Sequence, residues 1–492
     1  MPHRKTFLHT ATHKQASIYK HTYSKDKKLP DLTEGPIFLK LLFFCFPLIL
    51  TNLLQVLYNA ADMMVVSLSS EPDAVGAVGT TGAFVNLMVN LFIGFATGAN
   101  VVVARGLGAR DREQTSRATH TAVVMSLIFG AAGGLIGFFV SNPILSMMGA
   151  EGKLFDLAVT YTKIYFLGLP AISVTNYLIA IFRAKGDTKT PLYVLSFSGL
   201  VNVVFNFIFV VTCGLSVEGV ALATVISNAI SAVWLAWVLA KDESDCRLSF
   251  RSLCIDRRAL RDILYVGLPA GIQGSLFSIS NMLIQSSVIQ VNNMLCPPGS
   301  AYDAVLKGHS AASNLEAFAY TAQNSVYQGA ITFTSQNVGA KKLRRVWRIL
   351  LCSYLLGIAV STVGGLAVFF SRTPILALYG VKESLTDPLA HLAFETATIR
   401  MSYLMLPYFT LSLMDVGCGI LRGLGKSISS TVISLMGACV LRIIWLATVF
   451  KASPSLHTIY VSYPVTWAVT AMVSFTCIII TLRRLVRTEE KA

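Results

Sequence analysis

Twelve apolar stretches, each long enough to cross a bilayer as a helix, occupy almost all of the chain between residues 39 and 482. A spanning helix needs about 20 mainly apolar residues. The first six runs are 39–68, 74–104, 117–141, 155–184, 190–213 and 217–240. The second six are 261–291, 309–338, 347–371, 390–421, 428–450 and 456–482. Several exceed 25 residues, so tilt or kinking is expected. Pro47, Pro170, Pro269 and Pro407 lie inside runs and are the natural kink sites. Only 13% of the residues are charged and 54% are hydrophobic, whereas a soluble domain carries roughly 25% charged residues. Most of the chain is therefore solvated by something other than water, and the runs leave no room for a soluble domain.

The formal net charge of +15 has a topological meaning. With the N-terminus in the cytoplasm, 32 of the 40 Lys and Arg fall on the cytoplasmic side. They sit in residues up to Lys40, in loops near 105–117, 183–189, 241–261, 341–348 and 422–426, and at the C-terminal end. This asymmetry predicts both termini inside and an even number of helices. It also argues against nucleic acid as a partner, since the bases are dispersed in short loops. Residues 1–34 are polar, lack the apolar run of a signal peptide, and hold His3, His9, His13 and His21. They read as a disordered cytoplasmic tail and not as a metal site. The nine cysteines form no CxxC pair and read as small packing residues.

The two halves repeat. GANVVVARGLGAR from Gly98 aligns with GAITFTSQNVGAK from Gly329 at an offset of 231, and NPILSMMGA aligns with TPILALYGV at the same offset. YFLGLP ending at Pro170 matches SYLMLP ending at Pro407, and FRAKGD from Phe182 matches LRGLGK from Leu421. Six helices separate the copies, so both have the same topology, related by an axis along the membrane normal. Parallel repeats of this kind mark transporters, with the substrate site at the repeat interface. There is no GxxxxGK[ST], HExxH or GxSxG, so no ATP-driven step or catalytic constellation is visible.

In order, spacing and duplication these pieces resemble the multidrug and toxic compound extrusion (MATE) transporters, over roughly residues 32–485. LTEGPIFLKLLFFCFPLILTNLLQVLYNAADMMVVS is similar to the family's first helix. ARGLGARDREQ and SQNVGAKKLRR resemble its loops after the second helix of each half, and FRAKGDTKTP and LRGLGKS its paired Arg-Gly loops. VNVVFNFIFVVTCGLSVEGVALATVIS resembles its fifth and sixth helices. The resemblance implies an all-α, V-shaped membrane protein with a central cavity between two pseudo-symmetric six-helix bundles. It further implies export of organic, often cationic, compounds in exchange for protons or sodium ions.

Several polar side chains inside the runs could carry transport. Asn52, Gln55, Asn59 and Asp62 share an arc of about 80° on the first helix. Polar groups facing lipid are expensive, so this face should line a cavity or a hydrogen-bonded seam. Asp62 is the leading site, because a carboxylate there can load a proton or an organic cation but not both comfortably. The plain alternative is that Asp62 caps or snorkels near the outer end. The family's first-helix aspartate, when present, sits at this position. Asn202 and Asn206 lie one turn apart on the fifth helix, and some family members have an aspartate where this chain has Asn206. Asn176 is a further candidate. Asn86 and Asn90, followed by Gly94 and Gly98, form a stripe whose glycines predict close helix packing. In the second half, offset 222 aligns Asn59 with Asn281 and Asp62 with Ile284, so the matching carboxylate is missing. Gln273, Ser280 and Ser287 make a milder polar face. Asp415 and Glu316 are the other candidate buried carboxylates: Asp415 could pair with Arg422 or serve as a cation site, and the plain alternative for Glu316 is a solvated helix end. Arg442 reads as the one base well inside an apolar run, with structural pairing ahead of anion binding. Arg105, Arg183 and Arg422 read as topological charges at helix ends.

The expected organisation is a tail at 1–34, bundles at 35–241 and 261–485 joined by a linker at 242–260, and a short tail at 486–492. The expected protein is a monomeric, multi-pass antiporter of a plasma membrane, or of the inner membrane in a two-membrane bacterium. It would use no cofactor beyond H+ or Na+ as coupling ion and would not be an enzyme. The rival within the same superfamily is a lipid-linked oligosaccharide flippase, which should need a basic cavity, whereas the cavity-facing candidates are acids and amides. A membrane-embedded enzyme and an ion channel are the rivals from other classes.

Overall fold

The computed structural model describes residues 31–489 other than 70, 149–150, 297–302 and 385. Almost all of the expected N-terminal tail, with its four histidines, lies outside the described residues, as do the last three of the C-terminal tail. Every regular element among the described residues is helical. The first half comprises α1 (Ile37–Val66), α2 (Ala74–Ala109), α3 (Arg112–Met147), α4 (Gly152–Leu167), α5 (Leu169–Ala184), α6 (Lys189–Asn206, continued by a π-helical Phe207–Thr212) and α7 (Val217–Ala240). The second comprises α8 (Arg257–Leu295), α9 (Ala304–Gly339), α10 (Leu343–Phe370), the short α11 (Arg372–Leu378), α12 (Pro388–Met405) and α13 (Phe409–Gly423). It ends with α14 (Ser427–Ser434), α15 (Leu441–Trp445) and α16 (Leu456–Glu489), with π-helical turns on either side of α15.

Among the described residues, nine helical rods are long and apolar enough to cross a membrane, one of them running from α14 through Phe450. Two more spans are broken: α4 meets α5 at 50°, and α12 meets α13 at 48°. Pro170 and Pro407 mark these breaks, because a ring nitrogen cannot donate to the preceding turn. Pro47 and Pro269, expected to kink as well, are carried inside α1 and α8. α9 has 36 residues but is too polar to qualify by composition. With α9 included, the layout is compatible with twelve crossings. Phe43, Phe139 and Phe370 point outward, 71%, 73% and 74% exposed, as lipid-facing side chains do.

The repeat is visible in the backbone. α2 and α9 both have 36 residues, and each ends on a left-handed residue, Arg110 and Lys341, both with φ 55°. The amides of Asp111 and Lys342 then reach back to the carbonyls of Gly106 and Asn337, at 3.1 and 2.9 Å. These are Schellman-type closures of helix ends, and each residue of one has its counterpart 231 positions later. A side chain at positive φ costs energy, so the matching placement reflects a duplicated fold.

The same offset organises the interface between halves. A Cβ on Gly108 would collide with the carbonyl of Gln336, and a Cβ on Gly339 with the carbonyl of Arg105. The pairs exchange under the offset, so a pseudo-two-fold axis runs between the ends of α2 and α9. Two hydrogen bonds obey it as well. Arg105 Nη2 donates to the Gly423 carbonyl at 3.0 Å, and Gln336 Nε2 donates to the Ala184 carbonyl at 2.7 Å. The halves are thus locked together on the face that carries the basic loops. Gly94 and Gly98 bring α2 against the backbone of α8, as their spacing predicts.

The linker between the halves is docked on the first half. Lys185 forms an ion pair with Asp242, and Cys246 and Leu248 are buried beside it. The Ser249 amide donates to His120 Nε2 at 3.0 Å. Burial works against the Asp242 carboxylate, but the Lys185 ammonium and the Ser244 donors outweigh it and hold its pKa below the usual carboxylate value. Asp256 caps α8 through the amides of Ala259 and Arg258 and also meets Arg117. Those donors, led by the Ala259 amide, hold its pKa low too.

Candidate functional site

Each half encloses a cavity, of about 560 Å³ in the first and about 520 Å³ in the second. Both fall in the range of small-molecule sites. In the first, α1 presents Gln55, Asn59 and Asp62 at positions i, i+4 and i+7 of one face. Asn86 comes from α2, Tyr161 and Tyr165 from α4, Asn176 from α5, Asn202 from α6 and Asn228 from α7. The Asn206 amide is fully buried and donates to Asp62 Oδ1 at 2.5 Å. It also meets Asn202 Oδ1 at 3.4 Å. Asn176 and Asn228 each donate to the carbonyl one turn back, at 2.9 Å, and neither side-chain oxygen accepts a bond among the described residues.

Asp62 therefore lines the cavity instead of capping a helix end. No Lys, Arg or His lines that cavity among the described residues. A carboxylate inside the bundle with one amide donor and no counter-charge is costly to keep ionised. A proton, a sodium ion or an ammonium group would relieve that cost. Asn52, the fourth member of the stripe, turns to the seam between halves and donates to Ser325 Oγ at 3.0 Å.

The second cavity is differently furnished. Its lining includes Asn281 and Gln285 of α8, His309, Glu316 and Tyr320 of α9, Arg400 of α12 and Asp415 of α13. Arg442 of α15, Tyr463 and Trp467 of α16 and Asn90 of α2 also line it. Arg400 Nη2 pairs with Glu316 at 2.5 Å, and Arg400 Nη1 lies 3.3 Å from the His309 ring nitrogens. Arg442 rests over the Tyr463 ring at 4.0 Å and donates to Thr466 Oγ1 at 3.2 Å.

Several expectations are revised here. Glu316 is no solvated helix end, because Arg400 claims it in a largely buried pair. Arg442 has company as an intramembrane base in Arg400, and it forms no ion pair with a carboxylate among the described residues, the nearby Glu316 being held by Arg400. Arg422 is not a topological charge but 3% exposed, donating to Gln273 Oε1 at 2.7 Å and to the Tyr327 hydroxyl. Gln273 is thereby held outside the cavity lining, and of the two roles open to Asp415 the pairing with Arg422 is not made: Asp415 faces the cavity without a hydrogen-bonding partner among the described residues. The cavity-facing groups are thus not acids and amides alone. Sequence reasoning missed Arg400, His309, Tyr463 and Trp467 as site residues. The signal for Arg400 was present, since it stands within the apolar run 390–421.

Among the described residues no three His, Cys, Asp or Glu side chains converge as a metal site. The MatE family model matches residues 47–208 and again 278–448, one copy in each half. The chain belongs to the MATE family of transporters. At 25% identity it resembles a probable multidrug resistance protein, YoeA, of Bacillus subtilis (strain 168), over 71% of this chain and 74% of that one. It is 26% identical to a second such protein of that organism, YpnP, over 65% of this chain and 69% of the other. The multidrug export protein MepA of Staphylococcus aureus (strain MRSA252) matches at 22%, over 55% and 60% of the two chains. Among solved structures, the outward-facing conformation of a multidrug resistance MATE transporter superposes with a TM-score of 0.84 at 20% identity, covering 94% of this chain and all of the other. A MATE protein in its bent conformation gives 0.83 at 20% identity, over 94% and 99% of the two chains. These likenesses establish the fold.

Proposed function

We propose that this MATE protein is a secondary active antiporter that exports organic, cationic compounds in exchange for H+ or Na+ by alternating access. The observation that carries the proposal is Asp62, the one carboxylate of an amide- and tyrosine-lined cavity that holds no base among its described residues. One anionic site that takes either the ion or the cationic substrate couples the two fluxes. Gln55, Asn59, Asn176, Asn202 and Asn206 would position and desolvate the occupant, and Asn281 and Asp415 would serve the second cavity. Gln273 acts only through Arg422. The names of the bacterial relatives, multidrug resistance and export, favour export as the direction.

On this reading the halves, residues 35–241 and 261–485, move as units about the docked linker. The working protein is a monomer in a plasma membrane with both termini cytoplasmic, and needs no cofactor. A flippase for lipid-linked sugars is disfavoured, because Glu316 already neutralises Arg400 and leaves one unpaired guanidinium for a diphosphate. The test uses the full chain in liposomes loaded with ethidium, with proton and sodium gradients imposed separately. One gradient should drive ethidium movement, and Asp62→Asn should remove it while leaving monodisperse protein. Full gradient-driven transport by Asp62→Asn would refute the coupling role.

A further inference from the structure

The second cavity contains two opposite charges that form no ion pair among the described residues. Arg400 and Glu316 cancel each other. Arg442 and Asp415 remain. Arg442 is 5% exposed, its Nε is buried without a partner, and its only hydrogen bond among the described residues goes to a threonine hydroxyl. Burying a guanidinium is costly unless an anion meets its fork of donors. The Tyr463 ring lies 4.0 Å from the guanidinium carbon and helps hold the group in place. Asp415, on a different helix, lines the same cavity with no hydrogen bond among the described residues. Phe277, Tyr320, Tyr463 and Trp467 supply aromatic walls to the same cavity.

We propose that this cavity is a binding site for amphoteric aromatic molecules, with a carboxylate on Arg442 and a cationic group at Asp415. A plain cation would satisfy Asp415 but leave Arg442 buried and unmatched, and a plain anion would do the reverse. A molecule carrying both charges relieves both costs at once. Discrimination then arises from the penalty of an unpaired buried charge as much as from attraction. The proposal deepens the export reading, on which its role in transport rests, but its test reads binding and not flux.

Rhodamine 110 and rhodamine 123 share one cationic aromatic frame. The first keeps a free carboxylate, and the second is its methyl ester. Fluorescence anisotropy on the purified full chain in detergent gives an affinity for each. The wild type should prefer rhodamine 110 by about tenfold, the scale of one charge-assisted pair. Arg442→Gln should bring the ratio of the two affinities near unity, Arg442→Lys should retain part of the preference, and Asp415→Asn should weaken both dyes. A wild type that binds rhodamine 123 as well as rhodamine 110, or that binds neither, overturns the proposal without any variant. So does a ratio left unchanged by Arg442→Gln, or an equal fall for both dyes in Arg442→Gln and Arg442→Lys alike. Dye binding as expected without gradient-driven ethidium transport would instead sink the export reading and leave the site standing.

Discussion

The two cavities are built from corresponding positions of one duplicated fold, yet they carry different charge. Asn59 and its counterpart Asn281, 222 residues on, line both. One turn further, Asp62 lines the first cavity and its counterpart Ile284 the second. Val85 and Glu316 are related by the offset of 231, Asn176 and Asp415 by 239, and all four are lining residues. Duplication has therefore preserved which backbone positions face the interior and let the side chains there diverge. The first cavity was left with a single acid, and the second acquired an acid–base pair and two further charges that form no ion pair among the described residues. An acid with no base beside it suits coupling to a cation, whereas acids and bases set in one cavity suit selective recognition.

Substitutions can break this contrast. The largest effect should come from Asp62→Asn, with gradient-driven ethidium efflux falling by about tenfold or more while folding is unchanged, since the variant keeps its amide neighbours. Next is Glu316→Gln, which strands Arg400. Breaking a buried pair from one side costs about 3–5 kcal/mol. A large drop in the thermal midpoint in detergent is expected, and Glu316→Gln with Arg400→Gln together should recover much of it. Equal thermal loss from Asp62→Asn would erase the distinction between the two cavities. Gly108→Leu and Gly339→Leu should then lower stability by similar amounts, about 1–3 kcal/mol each by overpacking, because each breaks one member of a symmetric contact. Unequal effects would show that the pseudo-symmetry does not extend to energetics.

The smallest effect concerns pH. Asp242 and Asp256 have depressed pKa values in the fold, so their contribution is complete above the unfolded value of about 4. It is lost as pH falls through the lower folded values. Proteolysis of residues 241–256 should be unchanged between about pH 5 and 8 and should rise only below about pH 4.

Much of this was legible in the sequence. Apolar runs gave the spans because lipid imposes length and composition on a helix. Motif offsets gave the repeat, and the Arg110 and Lys341 backbone matches it residue for residue. The face of α1 was legible because its polar residues share one helix and one period. The Arg400–Glu316 pair was not, since its members lie 84 residues apart on helices whose neighbourship no local period encodes. Arg422 was misread for the same reason: its Gln273 partner is 149 residues away.

α9 has a consequence for biogenesis. It carries Glu316, and it keeps Gln323, Gln328, Gln336 and Asn337 at 6% exposure or less, with Asn337 donating to the Leu32 carbonyl ahead of α1 and Gln336 to the Ala184 carbonyl at the end of α5. Side chains of this kind oppose release of a lone helix from the translocon into lipid. The first half must therefore already stand in the membrane when α9 arrives, and it acts as a template on which the second half is assembled.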